Sequence, residues 1–277
     1  MPLVKMKDLL TEVKQKKLIL GSFNTSNLEI TLSIIKGACE VEYPVIIQIS
    51  PPSLKLSGSE YIFNIVNMAA KNTNVPISLH LDHGRTMEDI KNAIDNGFSS
   101  VMIDGSHLSY EENIELTKHV TSYCHNLGIT VEAELGILKG KEDSEEIVEQ
   151  DLTDPDAVEN FCSKTKCDLL AISIGNIHGL QKKAEIDIDL LNKIHKSTDI
   201  PLVIHGGSGL PDEVLKKFKQ YGIKKVNFSS ELKRCFIKTI GERYIKNNLE
   251  FDLIHVLQEA KQNIENIVKQ KLIALNT

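Results

Sequence analysis

The chain is poor in the features that mark several large classes of protein. Its five cysteines (Cys39, Cys124, Cys162, Cys167 and Cys235) form no CxxC pair. Their odd number and loose spacing argue against a disulfide framework, and Cys162 and Cys167 lack the spacing of zinc ligands. No basic block interleaved with aromatics occurs, and acidic residues outnumber basic ones 38 to 32, for a net charge of −6. Nucleic acid is therefore not an expected partner. No apolar run is long enough to span a bilayer, and the N-terminus from Met1 to Asp8 lacks the apolar stretch of a signal peptide. The expected setting is a reducing cytoplasm, with no membrane partner. No low-complexity linker divides the 277 residues, and a composition of 41% hydrophobic and 25% charged residues is ordinary for a globular protein. The sequence reads as a single domain over residues 1–277.

What is present is a regular alternation. Short runs rich in Val and Ile, apolar on both faces, predict strands over 18–22, 45–50, 77–82, 99–104, 130–135, 168–174, 201–205 and 224–228. Between them lie helical patterns with start signals: acids after Thr86, Asp154 before Pro155, and Asp212-Glu213 after Pro211. Apolar residues recur at three- and four-residue steps over 110–127, 231–248 and 251–273. Eight strands alternating with helices predict an α/β fold, a (β/α)8 TIM barrel, with a doubly wound open sheet as the structural alternative. The polar residues favour the barrel. Ser50, Asp82, His83, Asp104, Glu134, His178, His205 and Asn227 all fall at or just past predicted strand ends, and in a barrel those ends converge on one face.

His83, His178 and His205 close the third, sixth and seventh apolar runs. Three imidazoles from three strand ends are a donor set that leaves a metal's fourth position open for substrate. A lone histidine is more often a packed or solvated residue, and that reading is kept for His119, His125, His195 and His255. His107 is left open. Alternation sends His80 to the face opposite His83, as a packing residue or a support for the site. Asp82, beside His83, suits a general base or acid; its structural alternative is an N-cap for the helix near Thr86. Glu132 and Glu134 share one face of the fifth strand and are candidates to support or ligate a metal. Glu142 and Asp143 lie in a charged, loop-like segment. Gly206-Gly207-Ser208-Gly209 follows the seventh run and Asn227-Phe228-Ser229-Ser230 the eighth. Small residues and hydroxyls in these consecutive loops point to a phosphorylated ligand.

These residues make up a recognisable pattern. From end to end the chain resembles the class II, zinc-dependent ketose-bisphosphate aldolases, the fructose- and tagatose-bisphosphate enzymes. The resemblance is carried by Leu79-His80-Leu81-Asp82-His83-Gly84, Met102-Ile103-Asp104-Gly105-Ser106, Val131-Glu132-Ala133-Glu134-Leu135-Gly136, His178-Gly179, His205-Gly206-Gly207-Ser208-Gly209 and Asn227 with Glu231-Leu232-Lys233. It implies a catalytic Zn2+ on His83, His178 and His205, with Asp104 and Glu134 at buried or alternative metal positions. It implies that Asp82 deprotonates the C4 hydroxyl and that Glu142 exchanges the proton at the enediolate carbon. Gly179, Gly206, Gly207, Ser208, Asn227, Ser229 and Ser230 would hold the phosphate of dihydroxyacetone phosphate, and Asn24 and Ser50 would line the substrate pocket. A monovalent cation (Na+ or K+) near the His178-Gly179 and His205-Gly206 backbone and a homodimer or homotetramer are also implied.

The chain departs from that family's pattern in places. Lys139 and Lys141 flank Gly140 where the family is glycine-rich, Pro51-Pro52 follows Ser50, and Ser230 stands in place of a threonine. Relatives often carry Asp-Pro-Arg near the C-terminus, whose arginine grips the distal phosphate across a subunit contact. Here the stretch reads Phe251-Asp252-Leu253-Ile254, and no arginine follows Arg243. The expected reaction is reversible cleavage of a ketose 1,6-bisphosphate, fructose first and tagatose second, to dihydroxyacetone phosphate and an aldehyde such as glyceraldehyde 3-phosphate. The rivals are a barrel metal-dependent hydrolase and a non-catalytic partner subunit with the same fold.

Overall fold

The structure, a computed structural model, describes residues 3–142, 145–180 and 184–277; the side chains of Glu142, Glu145 and Glu146 lie outside that description. Its strands are β1 (Leu20–Asn24), β2 (Val45–Ile49), β3 (Ile77–Gly84), β4 (Ser100–Ile103), β5 (Thr130–Leu135), β6 (Gly140–Glu142), β7 (Glu145–Ile147), β8 (Leu169–Ile172), β9 (Leu202–Ile204) and β10 (Ile223–Phe228). Eight of them close a parallel barrel in the order β1-β10-β9-β8-β5-β4-β3-β2, while β6 and β7 form a separate antiparallel hairpin. Helices lie between successive barrel strands, which is the (β/α)8 arrangement expected from the alternation.

The first strand begins two residues later than predicted and runs on to Asn24. Leu18 is drawn out of it: its N–H donates to the Val13 carbonyl (2.9 Å) and closes the helix Met6–Lys16. Ser22 and Asn24 belong to the strand because they face the barrel interior, where polarity hides them from a hydrophobicity reading. Helix starts match their signals. Thr86 and Asp89 form a reciprocal capping box, Asp154 caps the helix Pro155–Thr165, and Pro211 precedes the helix Asp212–Lys217; the structure adds a second capping box, Ser109 with Glu112. Pro51 and Pro52 occupy the first turn of the helix Pro51–Ser57, where a missing N–H costs nothing.

The main apolar core fills the space between barrel and helices. Inside the barrel, Leu20 and Ile46 pack on Met6, Leu9 and Val13, so the N-terminal helix plugs the amino-terminal end. Met102, Leu169, Ala171 and Val203 form an adjoining apolar layer. At the other end the interior turns polar, and that end carries the site.

Candidate active site at the carboxyl-terminal mouth

Strand β3 brings two adjacent residues to the same face. His83 has φ +48°, and the register against β4 breaks between Leu81 and Gly84. Histidine tolerates this left-handed conformation better than most residues. The kink turns His83 back to the mouth beside Asp82, whose carboxylate lies 3.9 Å from His83 Nε2. His80 and His83 therefore both face inward, contrary to the alternation argument, which assumed an unbroken strand. His80 is fully buried, 2.8 Å through Nδ1 from Ser100 Oγ, and burial followed by the Lys225 charge push it well below the usual imidazole range.

The rings of His83, His178 and His205 meet with centroids 4.7–5.9 Å apart, and one nitrogen of each falls within 4.8 Å of the others. Second partners fix two of the tautomers. His83 Nδ1 lies 3.1 Å from Asp104 Oδ2, and His205 Nε2 lies 2.9 Å from Glu132 Oε1. With those nitrogens donating, His83 Nε2 and His205 Nδ1 face each other with lone pairs across 2.9 Å. Such a pair repels unless a cation or shared proton stands against it, so the donor set fits a divalent metal. His83, Asp104 and Glu134 form a second group of the same compactness, with Glu134 Oε2 3.9 Å from His83 Nδ1.

The carboxylates behind the rings have their own supports. Burial opposes ionisation of Asp104, but His83 and the Ser106 amide and hydroxyl outweigh it and hold the carboxyl well below the usual range. Burial likewise opposes charge on Glu132. The Lys225 ammonium at 2.8 Å, with His205, reverses the balance and keeps it ionised. Asp82 is fully buried and oriented by amides from three strands. Asn24 donates at 2.7 Å, Gln48 at 3.2 Å and Asn227 at 3.2 Å, and Gln48 also donates to Asn24 at 2.6 Å. Asp82 is thus no helix cap; Thr86 fills that place.

Beside the rings opens a cavity of ≈ 980 Å³, whose lining includes Asn24, His178, Gly179, His205, Gly206, Ser208, Asn227, Ser229 and Ser230. The Ser208 hydroxyl accepts from the Ser229 and Glu231 amides (3.2 and 3.3 Å) and so ties the loop after β9 to the start of the helix Ser230–Lys246. Gly206 has φ +73°, and a Cβ there would collide with the Ile177 carbonyl. The hairpin strand β6 pairs with the His178 loop: His178 N–H donates to Lys139 O at 2.9 Å, and Lys141 lines the cavity. Glu142 ends β6, with its side chain outside the described residues. Ser53, rather than Ser50, faces the cavity; Ser50 is buried behind it, and their hydroxyls are 3.4 Å apart. Gly207 is buried against Val226 and Phe228, so it packs the loop.

Sequence reasoning passed over Gln48, Lys225 and Asn176. Asn176 donates to the carbonyls of Ile172 (3.2 Å) and His205 (3.1 Å), and thereby joins the two loops that carry His178 and His205. Inward alternation from Ser50, just past the end of β2, and from Asn227 on β10 is the signal that would have found Gln48 and Lys225.

Comparison with known proteins finds relatives over nearly the whole chain. The family described as class-II fructose-bisphosphate aldolase matches residues 4–277. A fructose-bisphosphate aldolase of Geobacillus stearothermophilus is 37% identical over 278 residues, covering 98% of this chain and 96% of that protein. One from Staphylococcus epidermidis is 36% identical over 281 residues, covering 100% and 98%. Among solved structures, the YdjI aldolase of Escherichia coli K12 superposes with a TM-score of 0.86 at 30% identity, covering 99% of this chain and 97% of that one.

Proposed function

We propose that this chain, which belongs to the class II fructose-bisphosphate aldolase family of metal-dependent lyases, reversibly cleaves fructose 1,6-bisphosphate to dihydroxyacetone phosphate and glyceraldehyde 3-phosphate. The observation that carries this reading is the convergence of His83, His178 and His205 beside Asp82 and a serine- and glycine-lined cavity. The full-length likeness to aldolases, with Asp82 and all three histidines in place, tells against a non-catalytic partner subunit.

The three imidazoles would hold Zn2+, which when bound supplies a Lewis acid for the negative charge that cleavage leaves on the former ketone oxygen. Glu132 and Asp104 orient two of the rings; Asp104 and Glu134, with His83, offer an alternative place for the ion. Gly179, Gly206, Ser208, Ser229 and Ser230, at the start of the helix Ser230–Lys246, hold one phosphate of the substrate. Remote binding energy from that phosphate positions the C4 hydroxyl at Asp82. Asp82 takes the hydroxyl proton, the C3–C4 bond breaks, its electrons pass to the C2–C3 enediolate, and C4 leaves as an aldehyde. Asn24, Gln48 and Asn227 keep the carboxylate aimed at that proton. Glu142, on the strand that pairs with the His178 loop, returns a proton to the enediolate carbon. The exposed Tyr244, Ile245, Leu249, Phe251 and Ile254 support a homo-oligomer, since a patch of this kind is covered in most soluble proteins.

Coupled detection of triose phosphates from a panel of ketose phosphates, before and after chelation, tests the reading. Cleavage of fructose 1,6-bisphosphate that stops on chelation and returns with Zn2+ is expected. Undiminished activity after complete metal removal would overturn the metal chemistry, and preference for the tagatose isomer would reassign the substrate.

A further inference from the structure

The wall of the cavity beyond the serine loops carries cations that none of the steps above uses. Lys233, Arg234 and Lys238 line it from the helix Ser230–Lys246, with Ile237 between them. The chain has only three arginines, Arg85, Arg234 and Arg243. Arg243 is engaged with Glu259 at 2.7 Å. Arg234 is exposed on the cavity wall and makes no ion pair with any described residue. Lys238 meets Glu242 at 3.5 Å in a pair open to solvent on both sides, a weak competitor for a doubly charged anion.

We propose that Arg234, seconded by Lys238, forms a second anion subsite that takes the distal phosphate of the substrate within a single subunit. This rests on the aldolase reading of the same mouth. The spacing suits it. At 1.5 Å per residue, Arg234 and Lys238 stand about 6 and 12 Å further along the helix axis than Ser230, whose end of the helix meets the first phosphate. Nine bonds separate the two phosphorus atoms of a hexose 1,6-bisphosphate, five C–C, two C–O and two O–P, and at about 1.25 Å of advance each an extended molecule holds its phosphates roughly 11 Å apart, between those two stations. A guanidinium binds phosphate through two parallel N–H donors, which an isolated ammonium does not offer. Ser26 and Ser53, 3.1 Å apart through their hydroxyls, supply further donors from the wall formed after β1 and β2, and Leu56 covers the carbon chain.

The test is calorimetric titration of the metal-loaded full chain with two uncleavable probes, mannitol 1,6-bisphosphate and mannitol 1-phosphate. The wild type should bind the bisphosphate about ten-fold or more tightly, the increment expected of one charge-assisted contact. Arg234→Gln should erase most of that difference and leave monophosphate affinity unchanged, Arg234→Lys should recover part of it, and Lys238→Gln should lose less. A wild type that binds both probes equally, or an Arg234→Gln protein that weakens both alike, overturns the proposal. Because neither probe is cleaved, these results stand apart from turnover; failure to cleave any ketose phosphate would sink the aldolase reading alone.

Discussion

The two halves of the barrel interior are built on the same strands and differ by two residues along each. At the amino-terminal end the inward positions are Leu20 and Ile46, sealed by Met6, Leu9 and Val13, and Met102, Leu169 and Val203, against which Leu10 of the same helix packs. One inward step further, four of those strands present Ser22, Gln48, Asp104 and His205, and their neighbours add Asp82, Glu134 and Asn227, all buried. The lower half removes apolar surface from water and asks for no particular geometry beyond packing. The upper half buries charge and is tolerable only because each group has a partner. Between them lies a joining layer, His80, Glu132 and Lys225, in which an ammonium compensates a carboxylate that in turn aims His205. Position along a strand thus separates the residues that keep the barrel shut from those that do chemistry.

The sharpest way to test that separation is Asp82→Ala. Loss of a positioned proton acceptor should lower cleavage turnover about 10²–10⁴-fold with metal content and fold intact, read by steady-state kinetics and metal analysis. Full turnover in a correctly loaded variant would remove Asp82 from the chemistry.

Next in size is the joining layer. Lys225→Met leaves Glu132 buried and uncompensated and should cost about 3–5 kcal/mol in denaturant unfolding. The double replacement Lys225→Met with Glu132→Met should recover most of that stability. It should not recover metal binding, because His205 loses the acceptor that fixes its ring, and a loss of about 10–100-fold in affinity is expected in chelator competition. Equal metal affinity in the double variant and the wild type would make the layer mere packing.

Acid should separate the halves as well. Asp104 and Glu132 are held below their ordinary carboxylate values in the fold. A depressed folded value means that the unfolded chain takes up protons first. Their stabilisation is therefore complete above the ordinary carboxylate range and drains as pH falls below it toward the folded values. Metal-free wild type should lose stability steeply over that window. The double Met variant, which has shed the Glu132 contribution, should show a shallower slope, and parallel curves would contradict the assignment.

How far these halves could be read beforehand follows from what a sequence displays. The apolar outward faces and the helix-start signals at Thr86, Asp154 and Pro211 make the barrel legible, and the glycine-bearing strand ends mark His83, His178 and His205. Gln48 was missed because it sits singly inside a β-branched run, where a hydrophobicity pattern treats one polar residue as noise, and Lys225 because, next to Lys224, it reads as one more solvated lysine. His83 was separated from His80 because alternation presumes a straight strand, and the kink that turns His83 back to the inward face is set by a register break against β4. That kink depends on pairing with β4, a tertiary partner that local sequence does not carry. Ser53 rather than Ser50 lines the cavity because Pro51 and Pro52 start a helix there.

The smallest predicted effect belongs to the lower half and is informative for what it leaves alone. Ile46 is fully buried and packs on the plug helix, two residues before Gln48 on the same strand. Ile46→Val removes one methylene and should cost about 0.5–1.5 kcal/mol in stability, measured by chemical denaturation. The Gln48 amide, held by Asn24 and Asp82, fixes the upper part of the strand independently of that methylene. Turnover and metal affinity should therefore match the wild type. A drop in turnover that exceeds the small change in folded fraction would mean that packing at the sealed end is transmitted to Asp82 through β2, and the two halves would then be mechanically one.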